Sequence, residues 1–335
     1  MTIVDALNRP LRHVRISVID QCNLRCTYCM PAEVFGEDYA FLPGNQLLSF
    51  EEIEQLVKIF ASSGVEKIRL TGGEPLMRKG LPELIGKLLN VTGIKDVSLT
   101  TNGLLLGVYA ERLKAAGLRR VNVSLDSLNP ETYGQMNGRR ISVEKVLRSI
   151  EKAAAIGIDI KINMVVQKGV NDKDITEMAN YCFEKGYTLR FIEYMDVGNT
   201  NRWSMEQVVP SQQILAYLQQ QHELIPTTTV EKGAVAKNYI YKGTKKEIGF
   251  ISSVTEAFCS DCNRARISAD GKLYTCLFTA EGTDIKPLLQ SCSAEQVKQQ
   301  IERIWHYRHD RYSEERSTLA GIRTKNKIEM SYIGG

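Results

Sequence analysis

Cys22, Cys26 and Cys29 stand in the run Cys22-Asn23-Leu24-Arg25-Cys26-Thr27-Tyr28-Cys29, a C-x3-C-x2-C spacing directly behind an apolar, strand-like segment. Three thiolates this close converge on one small metal object and force the chain into a compact loop at the end of a strand. They are too few to close a structural zinc site, which takes four protein ligands. A four-iron, four-sulfur cluster held by three cysteines keeps one iron open for a ligand that is not protein. The competing readings are a zinc half-site completed from elsewhere and a reactive thiol cluster. Zinc sites pair two C-x2-C-type halves, and this triplet matches neither half.

At 335 residues the chain has room for about two domains, or for one large barrel with an appendage. Its 43 Lys plus Arg against 39 Asp plus Glu leave a net charge of +4, too small to argue for nucleic acid or a membrane surface. No apolar run approaches the roughly eighteen residues that span a bilayer. Met1-Thr2-Ile3-Val4-Asp5 lacks the charged and apolar regions of a leader, so a cytoplasmic location is expected. Eight cysteines in such a chain point to metal or redox chemistry more than to disulfides.

The first two-thirds read as repeated strand-helix units, punctuated by glycines such as Gly64, Gly117 and Gly186 at helix ends. Ser49 with Glu52 predicts a capping box ahead of Ile53, Leu56, Val57 and Phe60, and Asn171 is read as the cap of a helix carrying Ile175, Met178, Ala179 and Cys182. The strands alternate. Val14, Ile16 and Val18 are interleaved with Arg15 and Ser17; Ile68 and Leu70 with Arg69 and Thr71; Val97 and Leu99 with Ser98 and Thr100. Val121 and Val123 alternate with Asn122 and Ser124, and Ile160, Ile162 and Met164 with Lys161 and Asn163. Strands of a parallel sheet covered on both faces are apolar throughout. Here the apolar face goes under the helices, and the polar faces of five strands look into one shared space. The expected fold is therefore α/β, an open barrel whose lumen is the site. A further strand is expected over residues 187–195 and a closing helix over 211–220. A shift toward β composition from Pro226 to Val230 divides residues 6–224 from a smaller α+β C-terminal domain, 225–335.

Thr71-Gly72-Gly73-Glu74-Pro75 follows the second strand, where two glycines let backbone approach a ligand and Glu74 can hold a positive group. Together with the cysteine triplet, with Tyr28 before its last Cys and Met30-Pro31 after it, this resembles the signature of the radical S-adenosylmethionine enzymes. The resemblance implies an incomplete (βα)6 TIM-type barrel with the cluster at its C-terminal mouth. It also implies that the open iron binds S-adenosylmethionine and that an electron from the cluster cleaves it to a 5′-deoxyadenosyl radical. Arg15, Arg69 and Lys161 lie on the polar faces of three strands; cations sharing a lumen repel until an anion arrives, so a di- or triphosphate is the natural substrate. Salt bridges to Asp126 or Asp159 are the alternative.

Cys259-Ser260-Asp261-Cys262 and Cys276 make a second set of three, brought together by a hairpin turning at Ala269-Asp270-Gly271. A zinc ribbon with Cys292 as fourth ligand fits the spacing equally well, although Ser293 and Gln296 read as a capping box that makes Cys292 incidental. Arg264 and Arg266, two apart, point the same way. The two triplets, the segment Cys262-Asn263-Arg264-Ala265-Arg266 and the terminal Gly334-Gly335 resemble the GTP 3′,8-cyclase family of molybdenum-cofactor biosynthesis from end to end. That resemblance implies a lyase carrying two [4Fe-4S] clusters, the second on Cys259, Cys262 and Cys276 and in contact with the guanine of GTP. It implies GTP binding by Arg15, Arg69, Thr100, Lys161, Arg264, Ala265 and Arg266, and S-adenosylmethionine binding by Tyr28, Gly73, Ser124 and Met195. Arg264 and Arg266 take the catalytic role, helping reduction of the closed ring. A homodimer, a reductant protein, a downstream cyclic pyranopterin monophosphate synthase and a Gly-Gly tail reaching into the site complete the expectation.

Overall fold

The computed structural model describes residues 2–227, 233, 235–256, 258–319 and 327–334. Six parallel strands, β1 (His13–Ser17), β2 (Lys67–Thr71), β3 (Asp96–Thr101), β4 (Arg120–Ser124), β5 (Asp159–Val166) and β6 (Thr188–Glu193), lie side by side in chain order. Between them run helices α1 (Phe50–Ser62), α2 (Leu81–Leu89), α3 (Leu106–Ala115), α4 (Pro130–Met136), α5 (Val143–Ala155) and α6 (Ile175–Lys185). The period-two pattern sets the two faces. Val14, Ile16, Ile68, Leu70, Val121 and Ile162 are buried beneath the helices, and their polar neighbours turn to the inner side. Each such apolar side chain contributes about 1.5–3 kcal/mol.

The capping box of Ser49 and Glu52 opens α1 as the sequence predicts. Asn171 does not cap α6. Its amide side chain is buried, accepts from Gln167 N and donates to the carbonyls of Asp126 and Val165. A short turn over Asp172–Asp174 intervenes before α6 begins. The closing helix α7 runs over Ser211–Leu218. Thr228, Thr229 and Val230, where the composition shifts, lie outside the described residues.

Six strands leave two sheet edges with unpaired backbone groups, and the C-terminal third pairs with both. On one side β9 (Glu247–Ile251) runs parallel to β6 and is followed outward by β8 (Lys237–Tyr241) and β7 (Leu224–Pro226). On the other, β10 (Arg264–Ile267) runs parallel to β1, with β11 (Lys272–Tyr274) and β12 (Thr283–Asp284) beyond. One twelve-stranded sheet results among the described residues. Helices α8 (Lys286–Ser291), α9 (Ala294–His306), α10 (Tyr312–Leu319) and α11 (Met330–Ile333) complete the chain, with Ser293 and Gln296 forming the box that starts α9.

Glu193 at the end of β6 fastens the C-terminal part to the barrel. Its buried carboxylate accepts from the amides of Ser211, Val254 and Thr255 and from Thr255 Oγ1. Replacing Glu193 by Ala strands these buried donors, and the expected loss is about 3–5 kcal/mol of stability. The urea unfolding midpoint measures it; an unchanged midpoint contradicts this role.

Candidate active site

Loops after β1 and β2 carry the first cysteine set and the double glycine to the C-terminal end of the strands. They touch because one residue is glycine: a methyl group on Gly73 would lie 2.1 Å from the Gln21 carbonyl oxygen and 2.7 Å from that of Asp20. Glu74 turns inward, which corrects its reading as the holder of a positive ligand. Its carboxylate accepts from Leu76 N, Thr101 Oγ1 at 2.7 Å and Asn102 N at 2.8 Å, so it ties the loop after β2 to the end of β3. Burial pushes its pKa up to about 7 against those donors. Tyr28 Oη donates to Asp126 Oδ2 at 2.8 Å, and burial raises Asp126 to about 6. Ser124 and Met195 line the same region, from the ends of β4 and the loop after β6.

The second set comes from the other direction. Cys259 and Cys262 precede β10, and β10 runs parallel to β1 with Arg264 opposite His13. This set therefore sits at the N-terminal ends of the strands, separated from the first by the length of β1, on the order of 15 Å. Both sets wall one cavity of about 1190 Å³, above the roughly 300–1,000 Å³ of a usual single-ligand pocket. Cys292 ends α8, packed on the hydrophobic core, and does not line this wall. The fourth ligand required by a zinc ribbon is thus elsewhere.

Cations occupy the middle. Strand register places Arg266, Arg15 and Arg69 side by side on β10, β1 and β2, and Lys161 faces them from β5. Among the described residues none of Arg15, Arg69 and Lys161 makes an ion pair; Asp126 is engaged by Tyr28 and Asp159 is exposed. Burial, followed by the charges of Arg266, Arg69 and Arg264, pulls Arg15 well below the usual arginine range. Burial and Arg190 bring Arg69 down to about 9, and burial with Arg190 and Arg120 brings Lys161 down to about 8. Thr100 Oγ1 and Asn163 Oδ1 are buried in the same walls without a hydrogen-bond partner. Ala265, like Glu74, turns away from the cavity, buried against the core opposite Val14. Gly334 is packed on Thr71, and its carbonyl accepts from Arg266; Gly335 lies outside the described residues.

Sequence reading missed Arg190, which lines the cavity from β6. The signal was present: Leu189, Phe191 and Glu193 are buried while Thr188, Arg190 and Ile192 alternate with them. Arg120, paired with Asp96, and Arg308, in the turn after α9, also line the cavity; Arg308 belongs to no strand pattern and gave no local signal.

The thiols suit iron-sulfur ligation. All six are free and face the cavity. Cys262, although raised by burial, is brought down to about 6 by Arg264 and Arg308, so it is a thiolate at neutral pH. Burial, with Cys26 and Glu74 nearby, pushes Cys22 up to about 12, and burial with Asp310 does the same to Cys276. These two need a bound metal to displace their protons.

Comparison with known proteins matches residues 16–182 to the Radical SAM superfamily and residues 187–314 to Molybdenum Cofactor Synthesis C. GTP 3′,8-cyclases of Staphylococcus aureus strain MRSA252 and Staphylococcus epidermidis strain ATCC 12228 are 48% identical to this chain, over 99% of its length and 99% of theirs. A crystal structure of Streptococcus suis SuiB bound to S-adenosylmethionine shares the fold, with a TM-score of 0.64 at 14% identity over 95% of this chain and 70% of SuiB.

The lumen charges set a pH dependence. Lys161 is protonated below about 8 and loses its charge above it, so affinity for a nucleoside triphosphate is expected to fall about tenfold between pH 7 and 9. Lys161→Arg holds its proton to a higher pH and shrinks that fall, leaving the part that comes from Arg69, itself down at about 9. Calorimetric titration of both proteins at the two pH values checks it.

Proposed function

Because this chain belongs to the GTP 3′,8-cyclase family of radical S-adenosylmethionine enzymes, we propose that it cyclises GTP to (8S)-3′,8-cyclo-7,8-dihydroguanosine 5′-triphosphate, the opening step of molybdenum-cofactor biosynthesis. The observation that carries this reading is a lumen with unpaired cations at its centre and three free cysteines at each end. Cys22, Cys26 and Cys29 hold one [4Fe-4S] cluster, and Cys259, Cys262 and Cys276 hold a second. Bound there, the first cluster with S-adenosylmethionine supplies a 5′-deoxyadenosyl radical able to take hydrogen from ribose C3′ of GTP.

The chain's own residues position and shield. Tyr28, Gly73, Ser124 and Met195 hold S-adenosylmethionine beside the first cysteine set. Arg15, Arg69, Thr100 and Lys161 hold the triphosphate of GTP, which relieves their mutual repulsion. Thr100 supports this assignment with a buried hydroxyl that has no protein partner. Arg264, Ala265 and Arg266 hold the guanine side, with Ala265 limited to its backbone. Arg264 and Arg266 act catalytically by stabilising charge, or by delivering the proton, as the closed ring is reduced. The barrel covers residues 6–224 and the second-cluster domain 225–335. The enzyme works in the cytoplasm as a homodimer, takes electrons from a reductant protein and passes its product to a cyclic pyranopterin monophosphate synthase. Among the described residues no helix is long and apolar enough to cross a membrane.

Anaerobic turnover with GTP, S-adenosylmethionine and a strong reductant tests the proposal. The expected product has the mass of GTP, because the hydrogen lost from C3′ is matched by the proton taken up on ring reduction. Arg266→Ala is expected to lower its yield at least a hundredfold while cleavage of S-adenosylmethionine continues. Unchanged yield in that variant removes Arg266 from the mechanism, and absence of product from the unaltered enzyme overturns the proposed activity.

A further inference from the structure

The N-terminal turn reaches the second cysteine set through a buried ion network that the proposed chemistry does not use. Val4 bridges to Pro10, and inside this turn Asp5 Oδ1 accepts from the amides of Leu7 and Arg9 at 2.9 Å each. The other carboxylate oxygen, Oδ2, accepts from Arg9 Nε at 2.6 Å and lies 3.5 Å from Arg308 Nη1. All three side chains are at most 2% exposed. Two arginines and one aspartate removed from water at this depth are costly, and each remaining donor needs a partner.

The cysteine segments supply those partners for Arg9 Nη1 and Arg308 Nη1, while Arg9 Nη2 is left buried without one. Arg9 Nη1 donates to the carbonyl of Cys259 at 2.8 Å, and Arg308 Nη1 donates to the carbonyl of Cys262 at 2.8 Å. Asp310 closes the third side: its Oδ2 accepts from Thr275 Oγ1, beside Cys276, at 2.6 Å, and lies 3.4 Å from Arg308 Nε. Its carbonyl accepts from Arg9 as well. Trp305 holds the arrangement flat, with its indole N–H on the carbonyl of Arg9 and its ring 4.5 Å from the Arg308 guanidinium. Three segments far apart in the chain are thus joined by four charged side chains, and each cysteine of the set is reached through its own backbone or its neighbour.

We propose that Asp5, Arg9, Arg308 and Asp310 are the positioning residues of the second cluster, fixing its three cysteines and setting its reduction potential through their charges. The inference rests on the two-cluster reading above. Reduction adds negative charge to a cluster, so nearby positive charge favours the reduced form and nearby negative charge opposes it. The sign for each residue follows. Arg308→Gln removes a positive charge and lowers the potential of the second cluster. Asp5→Asn removes a negative charge, leaves Arg308 less compensated and raises it. The double variant returns toward the wild-type value. Arg308→Lys keeps the charge and stays close to wild type, while losing the guanidinium that reaches Asp5 and the Cys262 carbonyl through Nη1 and Asp310 through Nε.

The test is potentiometric titration, followed by electron paramagnetic resonance, of the full-length reconstituted enzyme and these four variants. The first cluster serves as internal reference. Opposite shifts of the second signal in Arg308→Gln and Asp5→Asn, with the first signal fixed, are expected. Shifts in the same direction, equal shifts of both clusters, or no shift overturn the proposal, because general loosening of the fold has no sign that follows charge. A single reducible cluster in the wild-type enzyme overturns the two-cluster reading itself, and the unaltered protein alone reveals that case.

Discussion

Keeping like charges together in one buried lumen is the constraint on which the rest of this structure depends. Neighbouring strands root their side chains about 4.8 Å apart, and at an effective dielectric of about 20 two unit charges at that separation repel by about 3 kcal/mol. Arg266, Arg15 and Arg69 sit at adjacent register positions under this repulsion. They are held there because the opposite face of the same strands, with Val14, Ile16, Ile68 and Leu70, is locked beneath the helices. A register slip that separated the cations would bring the apolar residues into the lumen. The charge arrangement and the hydrophobic core are therefore one feature seen from its two faces, and the triphosphate proposed above would relieve the repulsion among the cations.

The same logic explains how two cysteine-bearing segments face a single cavity. Loops after parallel strands all emerge at one end, which is where the first cysteine set and the glycine loop meet. The second set arrives at the opposite end because β10 joins the sheet parallel to β1, with the cysteine turn leading into it. Edge pairing does two things at once. It satisfies the open backbone of a partial barrel, and it brings Arg264 and Arg266 into line with Arg15.

Much of the site was legible in local sequence: the cysteine spacings, the double glycine and the strand alternation are periodic or short-range signals. Arg15, Arg69, Lys161 and Thr100 could be placed in the lumen from alternation alone, and Arg190 could have been by the same test. Partner choice was not legible. Nothing in the residues around Glu247 or Arg264 says that one strand docks on β6 and the other on β1, because edge pairing is decided by backbone groups that every residue carries. Glu74 and Asn171 were misread for a related reason: a polar side chain beside a loop can face a ligand or bond to the chain, and only long-range packing chooses. The link from Asp5 to Cys259 and Cys262 spans almost the whole sequence through Arg9 and Arg308, beyond the reach of any local pattern.

The central claim is that one lumen holds two four-iron clusters at its opposite ends. Iron and acid-labile sulfide per chain, after anaerobic reconstitution, test it most directly in the unaltered protein and in a variant with Cys259, Cys262 and Cys276 all changed to Ala. About eight irons falling to about four is the predicted result. About four irons in both proteins, with one zinc per chain lost from the variant, would contradict it and make the C-terminal set a structural zinc site.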